Sequence, residues 1–197
     1  FMAGAFPVTN LNLNPSGLLQ LYSVMICTQH AWAENAFEEG VGLMELFLPA
    51  EAVGSPGLSP EKRVMNFSCR AEAGSGERTL IVGFVIEGDA PLRVLIQALG
   101  PTLRNAGLEN ATTDPTLTLY RGFEQVAFND NWQQQANPAA LDATRAQIGA
   151  SPVAPGTTDA ALLLELAPGV YTALFHAKSS PGGIGLLELY DASAATP

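Results

Sequence analysis

Val41-Gly-Leu-Met-Glu-Leu-Phe47 and Ile184-Gly-Leu-Leu-Glu-Leu-Tyr190 are one phrase written twice in this chain. In each copy a glycine releases the chain into an apolar strand, one carboxylate interrupts it, and an aromatic residue closes it. Small-residue stretches follow both, at residues 49–60 and 191–197. The phrase reads as the closing strand of a repeated module with its linker. It predicts one complete module ending at Asp191, preceded by a shorter segment that owns a closing strand without a whole module ahead of it.

Outward from the second copy, apolar runs of strand length alternate with turn chemistry. Strands are expected over residues 63–71, 79–87, 92–99, 116–121, 125–129, 160–166, 169–177 and 185–190. Between them stand Gly74-Ser-Gly76, Gly88-Asp89, Gly100-Pro101, Asp114-Pro115, Pro168-Gly169 and Pro181-Gly-Gly183, which supply positive-φ or fixed-φ positions that end a strand. Short spacing with one helical stretch points to an all-β antiparallel β-sandwich or jelly-roll-like module rather than to βαβ units. The runs at 92–99 and 162–164 are too continuously apolar for half-wetted strands and are expected in the middle of packed sheets. Residues 138–148 read as a short connector helix crossing one end.

The first 60 residues differ. Asn10-Leu-Asn-Leu-Asn14 alternates with period two, and residues 18–27 form a second apolar strand. Two or three strands cannot close a core alone, so this strand-forming arm must add to the module's own sheet or to that of another subunit. The division is therefore residues 1–60, arm and partial repeat, and residues 61–197, the complete sandwich. Leu11, Leu13, Leu18, Leu19, Leu21, Val24 and Ile26 are the expected subunit interface. Burying each contributes roughly 1.5 to 3 kcal/mol before ordering costs.

Composition narrows the function classes. A hydrophobic fraction of 47% with 14% charged residues is that of a folded protein. Nineteen Asp plus Glu against nine Lys plus Arg give a net charge of -10, and the only lysines are Lys62 and Lys178. Such a surface repels phosphate backbones, so nucleic acid is not an expected partner. No apolar run approaches the ~18 residues of a membrane-spanning helix. The N-terminal Phe1-Met-Ala-Gly-Ala-Phe-Pro7 has neither a basic region nor a long apolar one, so a signal peptide is either already removed or not shown. Cys27 and Cys69, one in each part of the chain, are compatible with a disulfide in an oxidising compartment or with two buried thiols, and the disulfide is the expectation taken here.

Asn129-Asp130-Asn131-Trp132, with Asp114 and Asp159 elsewhere, is the sharpest local constellation. Calcium takes six to eight oxygens, and an Asn/Asp loop offers them densely. The same residues form Asx-turns, in which side chains satisfy backbone groups and Trp132 caps the core. No run of alternating acids accompanies them, so the turn is the expectation, no metal or cofactor is assigned, and Asn129, Asp130 and Asn131 stand as the calcium alternative. His30 and His176 lack the neighbours that orient an imidazole for nucleophilic catalysis. Trp32, Phe37, Phe123 and Trp132, read as exposed, form at most a sugar-stacking platform for a surface polysaccharide.

Val82-Gly-Phe-Val-Ile-Glu-Gly88, Leu95-Ile-Gln-Ala-Leu-Gly-Pro-Thr-Leu103, Asp114-Pro-Thr-Leu-Thr-Leu-Tyr120, Asn129-Asp-Asn-Trp132, Asp159-Ala-Ala-Leu162 and Pro168-Gly-Val-Tyr-Thr172 occur in an order that resembles a family of exported bacterial β-rich modules. Those modules are largely uncharacterised and are found in tandem or at the ends of large surface and secreted proteins. More remotely, the chain is similar to the pre-peptidase C-terminal modules of secreted enzymes, which are β-sandwiches that often bind calcium. The resemblance covers residues 63–191 and implies export and a non-catalytic role.

The expectation is thus a non-enzymatic extracellular or cell-surface structural protein. Strands added between copies would build a fibre, sheath or surface layer. The alternative is an accessory carbohydrate- or calcium-binding module of a larger secreted enzyme or adhesin.

Overall fold

First pairs with last throughout the module. The computed structural model describes the backbone of residues 24–28, and residues 65–178 and 182–193 in full. After β1 (Val24–Thr28), eight strands follow: β2 (Asn66–Ala73), β3 (Leu80–Ile86), β4 (Leu92–Leu99), β5 (Pro115–Arg121), β6 (Glu124–Asn129), β7 (Ala160–Leu166), β8 (Gly169–Ala177) and β9 (Gly183–Asp191). The antiparallel pairs β2 with β9, β3 with β8, β4 with β7 and β5 with β6 are nested like one long hairpin. Rolled up, that hairpin gives a five-stranded sheet A in the order β1-β2-β9-β4-β7 and a four-stranded sheet B in the order β3-β8-β5-β6. This is the jelly-roll form of the all-β sandwich expected from the sequence.

Strand positions expected from turn chemistry agree with the structure to within three residues, and 92–99, 160–166 and 169–177 match β4, β7 and β8 at both ends. The parallel pairing of β1 with β2 departs from an all-antiparallel sandwich. Its register runs Val24↔Phe67, Met25↔Ser68 and Thr28↔Arg70, with an irregularity between Met25 and Thr28.

Two apolar clusters explain why β4 is apolar at successive positions. On one face Val94, Ile96 and Ala98 meet Leu117, Leu119, Tyr171, Ala173 and Phe175 between the sheets. On the other, Leu95 and Leu99 pack with Trp132, Leu141, Val153, Ala161 and Tyr190. Leu141 belongs to α2 (Pro138–Ile148), the helix expected from the sequence as the connector between β6 and β7, which packs on the outer face of sheet A. Its limits are chemical. Asn137 accepts the Ala140 N–H at 3.0 Å, Pro138 fills the first turn, and Gly149 ends the helix at φ 67°.

Two further expectations are corrected. β7, with its Leu162-Leu-Leu164 run, is the last strand of sheet A rather than a middle one. It is apolar on both faces because Ala161 and Leu163 join the outer cluster while Leu162 and Leu164 join the inner one. Trp132 is buried in the outer cluster and is no exposed stacking platform. A short helix missed in the sequence, α1 (Pro101–Asn105), follows β4 directly.

Candidate functional site

The chemistry-bearing side chains gather on the outer face of sheet A, beneath α2. On the β9 phrase, Leu187 and Leu189 face the inter-sheet core, so Leu186, Glu188 and Tyr190 face the helix side. A carboxylate buried there is tolerable only if hydrogen-bonded. Glu188 accepts from Gln97 Nε2 at 3.1 Å, Ser151 Oγ at 2.8 Å and Tyr190 OH at 3.0 Å. Gln97, from β4, also accepts from Arg145 Nε through its side-chain oxygen. Arg145 lies on α2, stacks over the Trp132 ring at 4.6 Å and donates to Asp142 Oδ1 at 2.5 Å.

Burial sets the electrostatics. The Arg145 guanidinium is held below its ordinary pKa mainly by desolvation, opposed by its hydrogen bond to Asp142 and by the negative charges of Asp142, Asp159 and Glu188. Tyr190 is pushed up, first by burial and then by the Glu188 charge. Arg145 is thus the buried cation facing Glu188 and Asp159, which are themselves buried.

Asp159 does a second job. Its carboxylate accepts from the N–H groups of Gly100, at 2.7 Å, and Thr102, at 3.1 Å, and from Thr102 Oγ1 at 2.6 Å. It caps the start of α1 from 57 residues away. The hydrogen bonds of these two clusters tie α1, α2 and the 150s loop to sheet A, while Arg145 Nη2 and Trp132 Nε1 are buried without a hydrogen-bond partner and the Asp142 side chain is exposed.

The Asn-Asp-Asn loop bonds partly to itself and partly to β7 and Lys178. Asn129 donates from Nδ2 to Asn131 O at 3.0 Å and accepts the Ala161 N–H at Oδ1 at 2.9 Å. Asp130 pairs with Lys178 Nζ, which also lies 3.4 Å from Asp114 Oδ2. The Lys178 ammonium is held above its ordinary pKa, chiefly by the hydrogen bond to Asp130. A cation of the protein's own therefore already bridges the two carboxylates nearest the loop.

Thr79 and His176 meet on sheet B, Oγ1 to Nδ1 at 3.0 Å. Thr79 Oγ1 donates to Gly76 O at 2.7 Å, so His176 donates from Nδ1 and Thr79 is no activated nucleophile. The outer face of sheet B exposes Ile81, Val85, Val170 and Phe128, and Phe123 projects from the β5–β6 turn. A cleft lined by Glu72, Arg104, Asn110, Thr113, Gly182 and Ile184 opens where the 108–113 loop meets the start of β9. Arg104 in that cleft donates to Ala111 O at 3.0 Å and to Glu109 O.

Of the residues expected at a subunit interface, Val24 and Ile26 lie in β1 on the edge of sheet A, and Leu11, Leu13, Leu18, Leu19 and Leu21 lie outside the described residues. Cys69 is buried on β2. Cys69, Ile26 and Cys27 all fall in the irregular stretch of the β1–β2 register between Met25↔Ser68 and Thr28↔Arg70, while the Cys27 side chain, His30, Trp32 and Phe37 lie outside the described residues. Sequence reasoning did not foresee the roles of Gln97, Arg145, Ser151 and Glu188. A carboxylate inside an otherwise apolar strand was the one signal available, and its three partners come from β4, from the 150s loop and from β9 itself.

Strand order and these contacts define an all-β sandwich of jelly-roll topology with a helix-covered outer face. No family model matches the chain, and no curated protein matches it in sequence. Among solved structures it is similar to the pre-peptidase C-terminal domain of a collagenase from Bacillus anthracis. The identity is 16%, over 64% of this chain and 88% of that one, with a TM-score of 0.36.

Proposed function

We propose that this chain is a non-enzymatic structural protein of an extracellular or cell-surface setting, whose N-terminal arm joins copies by strand addition. The observation that carries the reading is β1. This strand of the arm forms a main-chain ladder on the edge of sheet A, in register with Phe67, Ser68 and Arg70 of β2. An edge strand is a template for pairing, and the same ladder formed with a neighbour's β2 links subunits without new chemistry. The buried polar clusters support a structural role, because their groups are spent on positioning loops and helices.

With a net charge of -10 per chain, copies repel one another at low salt, so assembly is expected to strengthen with ionic strength. The test is light scattering and negative-stain microscopy of the full chain and of a chain lacking residues 1–28, at low and moderate salt. Polymers from the full chain and a folded monomer from the shortened one are expected. Monomers in both cases, or identical polymers in both, overturn strand donation.

A further inference from the structure

We propose that β3 is a self-association edge, joining two copies of this chain in an antiparallel β3–β3 ladder about a two-fold axis at Gly83. The inference goes beyond strand addition through the arm and does not rest on it, because β3 ends sheet B while the arm's β1 lies on sheet A.

Two other sheet ends are protected, and this one is open. β7, at the end of sheet A, has outward groups already taken: Ala161 donates its N–H to Asn129 Oδ1 at 2.9 Å and accepts from Gln135 Nε2 at 2.8 Å, and Asp159 O accepts the Trp132 N–H at 2.8 Å. β6, at one end of sheet B, begins with Glu124 and carries a register shift against β5. Covering loops, charges and bulges are the devices that stop an edge from recruiting another chain. β3, at the opposite end of sheet B, has none of them. Its seven residues, Leu80-Ile-Val-Gly-Phe-Val-Ile86, include no charge and no proline, its register with β8 is unbroken, and among the described residues no strand pairs with its far side.

Gly83 is a second, independent sign. Glycine weakens a strand interior, and there it marks a bulge, a bend or the close approach of another backbone. β3 has no bulge, Gly83 has no positive φ, and an added Cβ would meet only Tyr171 O at 3.9 Å, an ordinary contact. The module's own packing therefore does not call for a glycine, which leaves a second main chain on the open side.

The strand is complementary to itself. Turned about Gly83, Ile81 stands across from Val85 of the second copy, and Val82 across from Phe84. Ile81 and Val85 lie on the outer face, 61% exposed each, and β-branched side chains suit cross-strand pairs. In the β3–β8 register Leu174 flanks Ile81 and Val170 flanks Val85, so one uncharged row runs across the joint. The flanks set the direction. Antiparallel pairing brings Arg78, which also pairs with Glu72 at 3.3 Å, beside Glu87 of the second copy, whereas parallel pairing in register sets Glu87 against Glu87. In a chain of net charge -10, an uncharged edge is where two copies approach with least repulsion.

A ladder of seven residues is smaller than the ~1,000 Å² that a stable complex clears, so the dimer is weak, with a dissociation constant on the order of 100 μM. It is populated in concentrated protein and adds to assemblies held by another contact.

The test is disulfide trapping of the full chain at concentrations near that constant, with the parent, which carries the same Cys27 and Cys69, as control. Gly83→Cys lies opposite itself, at the ~4.5 to 5.5 Å Cα spacing of antiparallel neighbours, which a disulfide spans. Covalent dimers are expected from it and not from the parent. Ile81→Cys and Val85→Cys are expected to cross-link when mixed and not alone. Trapping of Ile81→Cys with itself, or by none of the three, overturns the proposal.

Charges check the same register without new thiols. In sedimentation at moderate salt, Ile81→Lys with Val85→Lys should weaken dimerisation at least about tenfold, and Ile81→Lys with Val85→Glu should restore it, because the two-fold sets opposite charges across the joint. Equal association of both double variants, with melts like the parent's, overturns the proposal. Hydrogen exchange that is slow at every β3 amide in the dilute monomer gives the edge to a segment of the same chain and overturns it too. The arm's role is read separately: a chain that stays monomeric at micromolar concentration and still traps at residue 83 loses strand donation alone, and a polymer that does not trap loses this contact alone.

Discussion

Asp159 Oδ1 accepts the Gly100 N–H at 2.7 Å, tying the start of β7 to the end of β4 across 59 residues of sequence. The contact is tight on the glycine side too, where an added Cβ would lie 2.4 Å from Thr112 O. The carboxylate also holds Thr102 through its N–H and its hydroxyl. Asp159→Ala is expected to cost about 3 kcal/mol, because it leaves buried donors unsatisfied. Asp159→Asn should recover part of that loss, since its oxygen still accepts. Urea denaturation of both variants measures the effect, and a loss below about 0.5 kcal/mol for the alanine variant counts against a capping role.

Tyr190 gives a pH dependence with a definite sign. Its folded-state pKa lies above the ordinary tyrosine value, so the phenol keeps its proton longer in the folded chain than in the unfolded one. The stability it contributes is complete below about pH 10 and is lost as pH rises through the folded value. Tyr190→Phe should therefore destabilise at neutral pH and show a flatter decline above about pH 10. Thermal melts from pH 7 to 11 check this, and parallel profiles for parent and variant contradict it.

Calcium should leave the fold unchanged. Lys178 already sits against Asp130 and Asp114, and Asn129 commits both of its amide groups to backbone. A structural ion would raise stability by about 2.7 kcal/mol at a hundredfold excess over its dissociation constant. Melts in millimolar calcium and in chelator are expected to overlay. A rise of several degrees that Asp130→Ala abolishes would assign the loop to calcium.

The register of β1 sharpens the disulfide expectation. Parallel neighbours lie about 4.8 Å apart, which falls within the Cα spacing a disulfide spans, and Cys27 and Cys69 both lie between the paired positions Met25↔Ser68 and Thr28↔Arg70. Closing a loop of about 40 residues would contribute roughly 3 to 4 kcal/mol in the loop-entropy account. Mass spectrometry after alkylation under denaturing, non-reducing conditions should find both thiols blocked. Two alkylated cysteines in protein prepared without reductant would sink the bond and this support for export.

Much of the fold was legible in the residues because its signals are local. Pro168-Gly169 fixes the turn before β8, and Asn137-Pro138 with Gly149 brackets α2. Period and turn chemistry act within a few residues, so strand ends such as those of β4 and β7 could be read directly. α1 escaped because its cap is not in its own neighbourhood: Asp159 supplies it from another strand. Trp132 caps a core as the turn reading expected, but not as the exposed platform of the alternative, and the Arg145 and Leu141 that cover it come from a helix whose docking face no local pattern announces.

By itself the sequence determined that this is an all-β module, where the strands of the complete module lie to within three residues, and that its closing phrase occurs twice. Those properties depend on backbone restriction, alternation and composition, which each segment carries alone. Only the tertiary structure decided which strands are neighbours, that β9 lies between β2 and β4, and that Glu188 is a buried acceptor rather than a solvated charge. Nested pairing makes these decisions non-local. β2 and β9 are neighbours although more than a hundred residues of sequence lie between them, and the carboxylate's partners, Gln97 and Ser151, come from separate parts of the chain.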